Sequence, residues 1–426
     1  MKNTAISPNV SLADLAKKAL PTTNYISDSR RLDLNISGAP LVTLVDKIIT
    51  DAILQKASDI HIEPQNKTLT IRFRIDGILI NYAQLALPLH PLIIARVKII
   101  SGMDTVEQRK PQDGSLSYEF SNKMINLRIS VLPTILGEKM VLRLLNTSGK
   151  LFNIDELELS KYNKYSFENI YNHTSGLIIS TGPVNSGKTT TLYAILNKLN
   201  TPEKNIVTIE DPIECNLSGI TQIQINEKTS LTFENGLRAV LRQDPDIILI
   251  GEIRDEITAR IAIRAALTGH LVLTTLHTND AVTAVLRLLD MGIEPYLLSA
   301  TLIGCISQRL LRRICPNCST RKTFTANSPQ TVFLKKHNYS QTNLLYGSGC
   351  EECHGTGYSG RIAIQEILPI ATEMQKAINN TPDSTILKDI AIKNGMKPLI
   401  YDALAKAMQN KTTVDEIMRI IDDDSK

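Results

Sequence analysis

Gly182-Pro183-Val184-Asn185-Ser186-Gly187-Lys188-Thr189, with Thr190 after it, follows directly on the apolar run Leu177-Ile178-Ile179. The order is strand, glycine-bounded loop, helix, and the rest of the fold is read outward from it. Gly182 and Gly187 let the backbone curl so that successive N–H groups face one anion, while Lys188 reaches the β- and γ-phosphates of a nucleotide and Thr189 offers its hydroxyl to Mg²⁺. The helix beginning near Lys188 turns its positive end to the same place. Residues 182–190 are therefore expected to hold ATP with Mg²⁺.

From Ser175 onward, apolar bursts at 177–179, 206–209, 247–250 and 271–273 are separated by helix-length segments. That is the pattern of a parallel sheet with crossover helices. Ligands of such sheets sit beyond the carboxyl ends of the strands, so the polar residues closing each burst should meet at one nucleotide. The second burst ends in Glu210-Asp211-Pro212-Ile213-Glu214, the third in Gly251-Glu252-Ile253-Arg254-Asp255 and the fourth in Thr274-Thr275-Leu276-His277-Thr278-Asn279. Phosphoanhydride hydrolysis needs a metal to neutralise phosphate oxygens and a group that orients water, which makes Glu210 and Glu252 candidates. Either carboxylate could instead cap a helix or pair with an arginine. His277 is placed to touch the γ-phosphate, or it is a structural histidine.

At 426 residues the chain exceeds what one hydrophobic core serves, so two or three domains are expected. Residues 1–35 read as an arm or linker with a short helix around Leu12-Ala13-Asp14-Leu15-Ala16. Helical spacing after Pro40 and period-2 stretches at 69–75, 125–131 and 140–144 give an α+β domain over 36–146. Residues 147–174 read as hinge and lead-in, 175–310 as the nucleotide-binding core, 311–360 as a cysteine module and 361–426 as a helical C-terminal region. The 47 basic and 43 acidic side chains are too evenly matched to favour a nucleic acid or an anionic membrane. The N-terminus has no signal-peptide pattern and no run is long enough to span a bilayer, so a cytosolic protein is expected.

Four of the six cysteines form two C-x₂-C knuckles, Cys315-Pro316-Asn317-Cys318 and Cys350-Glu351-Glu352-Cys353. Four thiolates suit tetrahedral Zn²⁺, with unligated thiols or a redox pair as the other readings. His354 is a spare ligand candidate. Cys215 and Cys305 fall outside the pattern and are expected in the core.

These motifs, in this order, resemble one family: the ATPases of type II secretion and type IV pilus assembly. Residues 182–189 resemble its Walker A loop, 206–214 its aspartate box, 241–255 its Walker B region and 269–281 its histidine box. The resemblance implies a PAS-like N-terminal domain before a RecA-like ATPase domain, with a zinc insert. It implies Glu210 as the water-activating carboxylate, Glu252 as the Walker B glutamate that joins Thr189 at Mg²⁺, and His277 as the γ-phosphate contact. Ser58-Asp59-Ile60-His61-Ile62-Glu63-Pro64 and Arg72-Phe73-Arg74-Ile75-Asp76-Gly77 are similar to the family's second N-terminal domain, and Arg128 and Arg143 match arginines that close over the nucleotide or are solvated strand-face residues. Family members are hexamers that drive a polytopic inner-membrane platform protein to extrude pilin-like subunits, so the chain is expected in the cytoplasm, peripherally bound to that membrane. The tetracysteine insert is typical of the assembly and secretion branches and absent from retraction motors; a competence system is a further alternative.

Three features depart from the family pattern. Asn185 replaces a usual glycine, Ser115 a usual arginine, and 35 residues are too few for the further N-terminal docking domain many members carry. The rival readings are a nucleic-acid-dependent motor and a non-catalytic ATP switch. The absence of tryptophan and the few aromatics leave little to stack on bases, so nucleic acid is not an expected partner.

Overall fold

The structure, a computed structural model, describes residues 11–20, 39–145, 152–380 and 382–421. The chain divides into two compact units, 1–149 and 150–426. Of the hinge and lead-in expected at 147–174, residues 147–151 lie outside the described residues, as do most positions of the N-terminal arm.

In the first unit, α1 (Leu12–Ala19), α2 (Ala39–Leu54) and α3 (His90–Ile100) accompany β1 (Asp59–Pro64), β2 (Thr68–Ile75), β3 (Ile78–Ala86), β4 (Gln112–Phe120), β5 (Lys123–Thr134) and β6 (Gly137–Leu145). The strands form one antiparallel sheet in the order β3-β2-β1-β6-β5-β4. The helical stripe Leu41, Leu44, Val45, Ile48, Ile49 and Ala52 of α2 is buried against the sheet residues Ile60, Ile71, Phe73, Leu127, Ile129 and Leu142. Period 3.6 on the helix thus meets period 2 on the strands. Ser11 caps α1, whose Leu15 and Ala16 are buried in the same core, so this part of the expected arm is a packed element.

The register sets Arg74 beside Asp59, Asp59 beside Arg143, Arg143 beside Arg128 and Arg128 beside Ser115. Buried Asp59 accepts from Arg143 Nε at 2.9 Å and lies 3.6 Å from Arg74 Nε. Glu63 similarly holds Lys139 at 2.7 Å and Arg72 at 2.5 Å. Arg128 is exposed and Arg143 keeps a side-chain exposure of 56%.

The second unit is built on a seven-stranded sheet in the order β15-β12-β7-β11-β10-β8-β9. Its strands are β7 (Gly176–Thr181), β8 (Ile206–Glu210), β9 (Thr221–Gln224), β10 (Ile247–Ile250), β11 (Leu271–Leu276), β12 (Leu302–Ile314) and β15 (Tyr358–Pro369). All pairs are parallel except β12 with β15. Every residue of β7, β8, β10 and β11 is buried, as in a sheet covered on both faces. The helices α4 (Lys161–Tyr171), α5 (Lys188–Leu199), α6 (Phe233–Val240), α7 (Glu256–Leu267), α8 (Ala281–Asp290) and α9 (Pro295–Thr301) supply that cover through two separate apolar clusters.

The sheet runs past 310, because β15 pairs with β12 from Gly304↔Pro369 to Ile314↔Tyr358. The expected helical region therefore begins with strand residues, and the cysteine segment is an insert between two paired strands. That insert holds the hairpin β13 (Ser319–Thr323) and β14 (Asn343–Gly347) around α10 (Pro329–Lys336). The chain ends in α11 (Thr372–Asn380), α12 (Ser384–Lys393), α13 (Leu399–Met408) and α14 (Val414–Ile421).

Candidate nucleotide site and metal centre

The loop between β7 and α5 has Gly182 at φ +146°, Asn185 at +64° and Gly187 at +89°. Asparagine accepts the left-handed region, so the departure at 185 leaves the turn intact. Close approach of β12 also constrains the two glycines. A Cβ on Gly182 would lie 2.4 Å from the Gln308 carbonyl oxygen, and one on Gly187 2.6 Å from Gln308 Nε2. Pro183, Val184, Asn185 and Thr190 are exposed, Thr189 is half-buried and Ser186 is buried.

Lys188 is only 8% exposed. Its ammonium donates to the carbonyls of Gly182 at 2.9 Å and Pro183 at 3.0 Å. Burial lowers it to about 8, opposed by the Glu252 charge and assisted by Arg309. His277 Nδ1 lies 3.5 Å from the same ammonium, and His277 Nε2 lies 3.4 Å from Glu252 Oε2. The other Glu252 oxygen pairs with Arg254. Lys188, His277 and Glu252 thus form one line of contacts, supplied by β7, β11 and β10, three neighbouring strands of the sheet. Thr181 and Thr278 brace the mouth at 2.7 Å between hydroxyls, and Thr275 Oγ1 donates to the Gly251 carbonyl at 2.7 Å.

Glu210 stands apart from that line. It is 3% exposed, with Oε1 accepting from Thr208 at 2.6 Å and Gln222 at 3.3 Å and Oε2 accepting from the Tyr193 phenol. Burial and the Glu210 charge push the Tyr193 phenol far above its ordinary value. A carboxylate with both oxygens engaged and no access to water is poorly placed to activate water. Glu214, in the same box, is exposed.

The sequence singles out neither Tyr193, Thr181 nor Gln308, and it places Thr278 in the fourth strand ending without a role. Gln308 has a visible signal: Ser307-Gln308-Arg309 is a polar stretch between apolar Leu302–Ile306 and Leu310-Leu311, and all three are buried.

The four knuckle sulfurs lie within 4.8 Å of one another. Cys315–Cys350 is 3.9 Å, Cys318–Cys353 3.8 Å and Cys350–Cys353 3.6 Å. A tetrahedral ion with Zn–S bonds of about 2.3 Å has sulfur edges of roughly 3.8 Å, so the residues fit Zn²⁺. Backbone N–H groups of Gly349, Cys350 and Gly357 point at these sulfurs at 3.3, 3.2 and 3.2 Å. Burial raises the Cys353 thiol, but hydrogen bonds from Cys350 and Gly357 bring it down to about 6. A Cβ on Gly347 would collide with the Gly357 carbonyl, which explains the glycines of this crossing. His354 is not in the cluster. Cys215 and Cys305 are buried outside it.

A phosphate loop at the carboxyl end of a parallel sheet, with a carboxylate and a histidine on the adjacent strand ends, defines the class as a P-loop ATPase. Residues 35–419 match the model of the family described as Type II/IV secretion system protein. The chain is 46% identical over 385 residues to the putative type II secretion system protein E of Escherichia coli, covering 90% of this chain and 77% of that one. It is 44% identical over 387 residues to the type IV pilus assembly ATPase PilB of Thermus thermophilus, covering 91% of this chain and 43% of that one. Among solved structures, the pilus retraction motor PilT with bound ADP matches with a TM-score of 0.57 at 26% identity, over 88% of this chain and 98% of that one. The chain belongs to the Type II/IV secretion system protein family and is an ATPase of the secretion type.

Proposed function

We propose that this chain is the ATP-hydrolysing motor of a type II secretion pseudopilus or an assembling type IV pilus, working as a hexamer on an inner-membrane platform protein from the cytoplasmic side. The observation that carries the reading is the contact line Lys188–His277–Glu252 at the ends of three neighbouring parallel strands. ATP is received by residues 182–190, with Lys188 on its β- and γ-phosphates. Thr189 and Glu252 are the residues that would hold Mg²⁺, whose charge would neutralise the phosphate oxygens. His277, 3.5 Å from the lysine ammonium on one side and 3.4 Å from the glutamate carboxylate on the other, senses the γ-phosphate.

The buried, fully engaged carboxylate of Glu210 favours an anchoring role for it, fixing the end of β8 to α5 through Tyr193. The exposed Glu214 is then the carboxylate of this box that orients water. Arg128 and Arg143 act as cations that make turnover depend on the first unit, and Cys315, Cys318, Cys350 and Cys353 hold a structural Zn²⁺. The tetracysteine insert supports an assembly or secretion motor over a retraction motor. The test is ATP hydrolysis by the purified protein with a co-expressed polytopic membrane partner or with single-stranded DNA. Stimulation by the partner alone supports the reading; stimulation by DNA alone overturns it.

A further inference from the structure

Gln308 lies in β12, next to the strand that feeds the phosphate loop, and is 1% exposed. Its amide straddles the junction between loop and helix. Nε2 donates to the Ser186 carbonyl at 2.8 Å, inside the loop, and Oε1 accepts from Thr191 Oγ1 at 2.6 Å, in the first turn of α5. Each atom has one partner of the complementary kind, so the orientation of the amide is fixed by chemistry.

The bond to Ser186 has a directional consequence. In a trans peptide the carbonyl and the following N–H point to opposite sides. Holding the Ser186 carbonyl toward β12 turns the Gly187 N–H away from β12, and Gly187 is the residue immediately before Lys188. The second bond holds the helix turn that follows. A Cβ at Gly187 would meet the Gln308 amide nitrogen at 2.6 Å, so that glycine and this side chain are one packing solution, whereas the collision at Gly182 is with the backbone carbonyl of residue 308.

We propose that Gln308 is a positioning residue for the ATPase reaction: it presets the Ser186–Gly187 peptide and the first turn of α5 so that backbone N–H groups are aimed at the phosphates before nucleotide arrives. Preset donors bind without a reorganisation cost, whereas a loop that must first turn its peptide loses affinity. The proposal rests on residues 182–190 being the nucleotide loop.

The test measures mant-ADP and mant-ATP binding with Mg²⁺, steady-state kcat and KM, and circular dichroism of Gln308→Met, Gln308→Glu, Thr191→Val and the double variant Gln308→Met/Thr191→Val. Gln308→Met, which keeps length and loses both bonds, weakens binding about tenfold while remaining folded. Thr191→Val weakens it less, and the double variant is no weaker than Gln308→Met alone, because both act through one amide. Gln308→Glu loses the donor to Ser186 and regains affinity as pH falls and its carboxyl protonates, a response that general loss of packing does not give. A folded Gln308→Met with unchanged nucleotide affinity overturns the proposal, as do additive effects of the two substitutions. If Gln308→Met does not fold, Thr191→Val with unchanged affinity and Gln308→Glu without recovery at low pH overturn it equally. Lys188→Ala separates the two levels: retained binding there refutes the loop assignment itself, whereas lost binding there with normal Gln308 variants refutes only the role of Gln308.

Discussion

Lys188 shows how one buried cation can be poised for a ligand. Burial depresses its ammonium from 10.5 to about 8. Because the folded value lies below the unfolded one, the ligand-free fold carries the cost fully below about 8 and is relieved as pH rises toward 10.5. A bound phosphate favours the charged form, so binding ATP should draw in a proton above about pH 8 and none near pH 6.5. Calorimetry in two buffers of different ionisation enthalpy measures this; proton uptake independent of pH contradicts it. At the carboxylates, Glu214→Gln is expected to cut turnover by about a hundredfold or more with binding kept. Glu210→Gln should chiefly lower the melting temperature, and an equal loss of turnover without destabilisation would restore Glu210 as the water activator. The loop, Glu252 and His277 were legible in sequence because they close apolar strands. The engagement of Glu210 was not legible, since its partners Tyr193, Thr208 and Gln222 come from three different elements.

At the scale of elements, strands with clean alternation and helices with a single apolar stripe could be read directly, as β2, β5, β6 and α2 show. The strands β1, β3 and β4 could not. β1 buries Asp59 and Glu63 in ion pairs, and β3 and β4 carry polar residues at the edges of the sheet. The start of α14 carries Thr413-Val414-Asp415-Glu416, the residue pattern of a capping box, but only half of that box forms. Thr413 Oγ1 accepts from the Glu416 N–H at 3.1 Å, but the Glu416 carboxylate turns to Arg312 at 2.7 Å and Arg419 at 2.6 Å and does not return to the cap. Glu416 is 1% exposed, so Glu416→Ala leaves Arg312 without its partner and should cost about 3 kcal/mol. Denaturant unfolding together with hydrogen exchange over 411–421 reads that loss. For the cysteine insert, close to one zinc per chain is expected, and Cys315→Ser should release it and raise exchange across the hairpin of β13 and β14. Metal analysis of fresh, reduced protein that finds no zinc refutes the site.

For the whole molecule, there are two separately cored units: one carries the phosphate loop and its strand-end groups, the other a charged sheet face with Arg128 and Arg143. Arg143→Ala is expected to lower turnover at least tenfold while the affinity of the isolated site for ADP stays within about twofold, the pattern of a cation used in the transition state. Equal losses in both quantities contradict that assignment. The central claim is that the ends of β7, β10 and β11 form one hydrolytic centre, and Glu252→Gln tests it most directly. Mant-ATP affinity and steady-state phosphate release are measured side by side on the folded variant. Binding within about threefold of the unchanged chain, with release lowered by about a hundredfold or more, is the predicted result; phosphate release at the unchanged rate would contradict it.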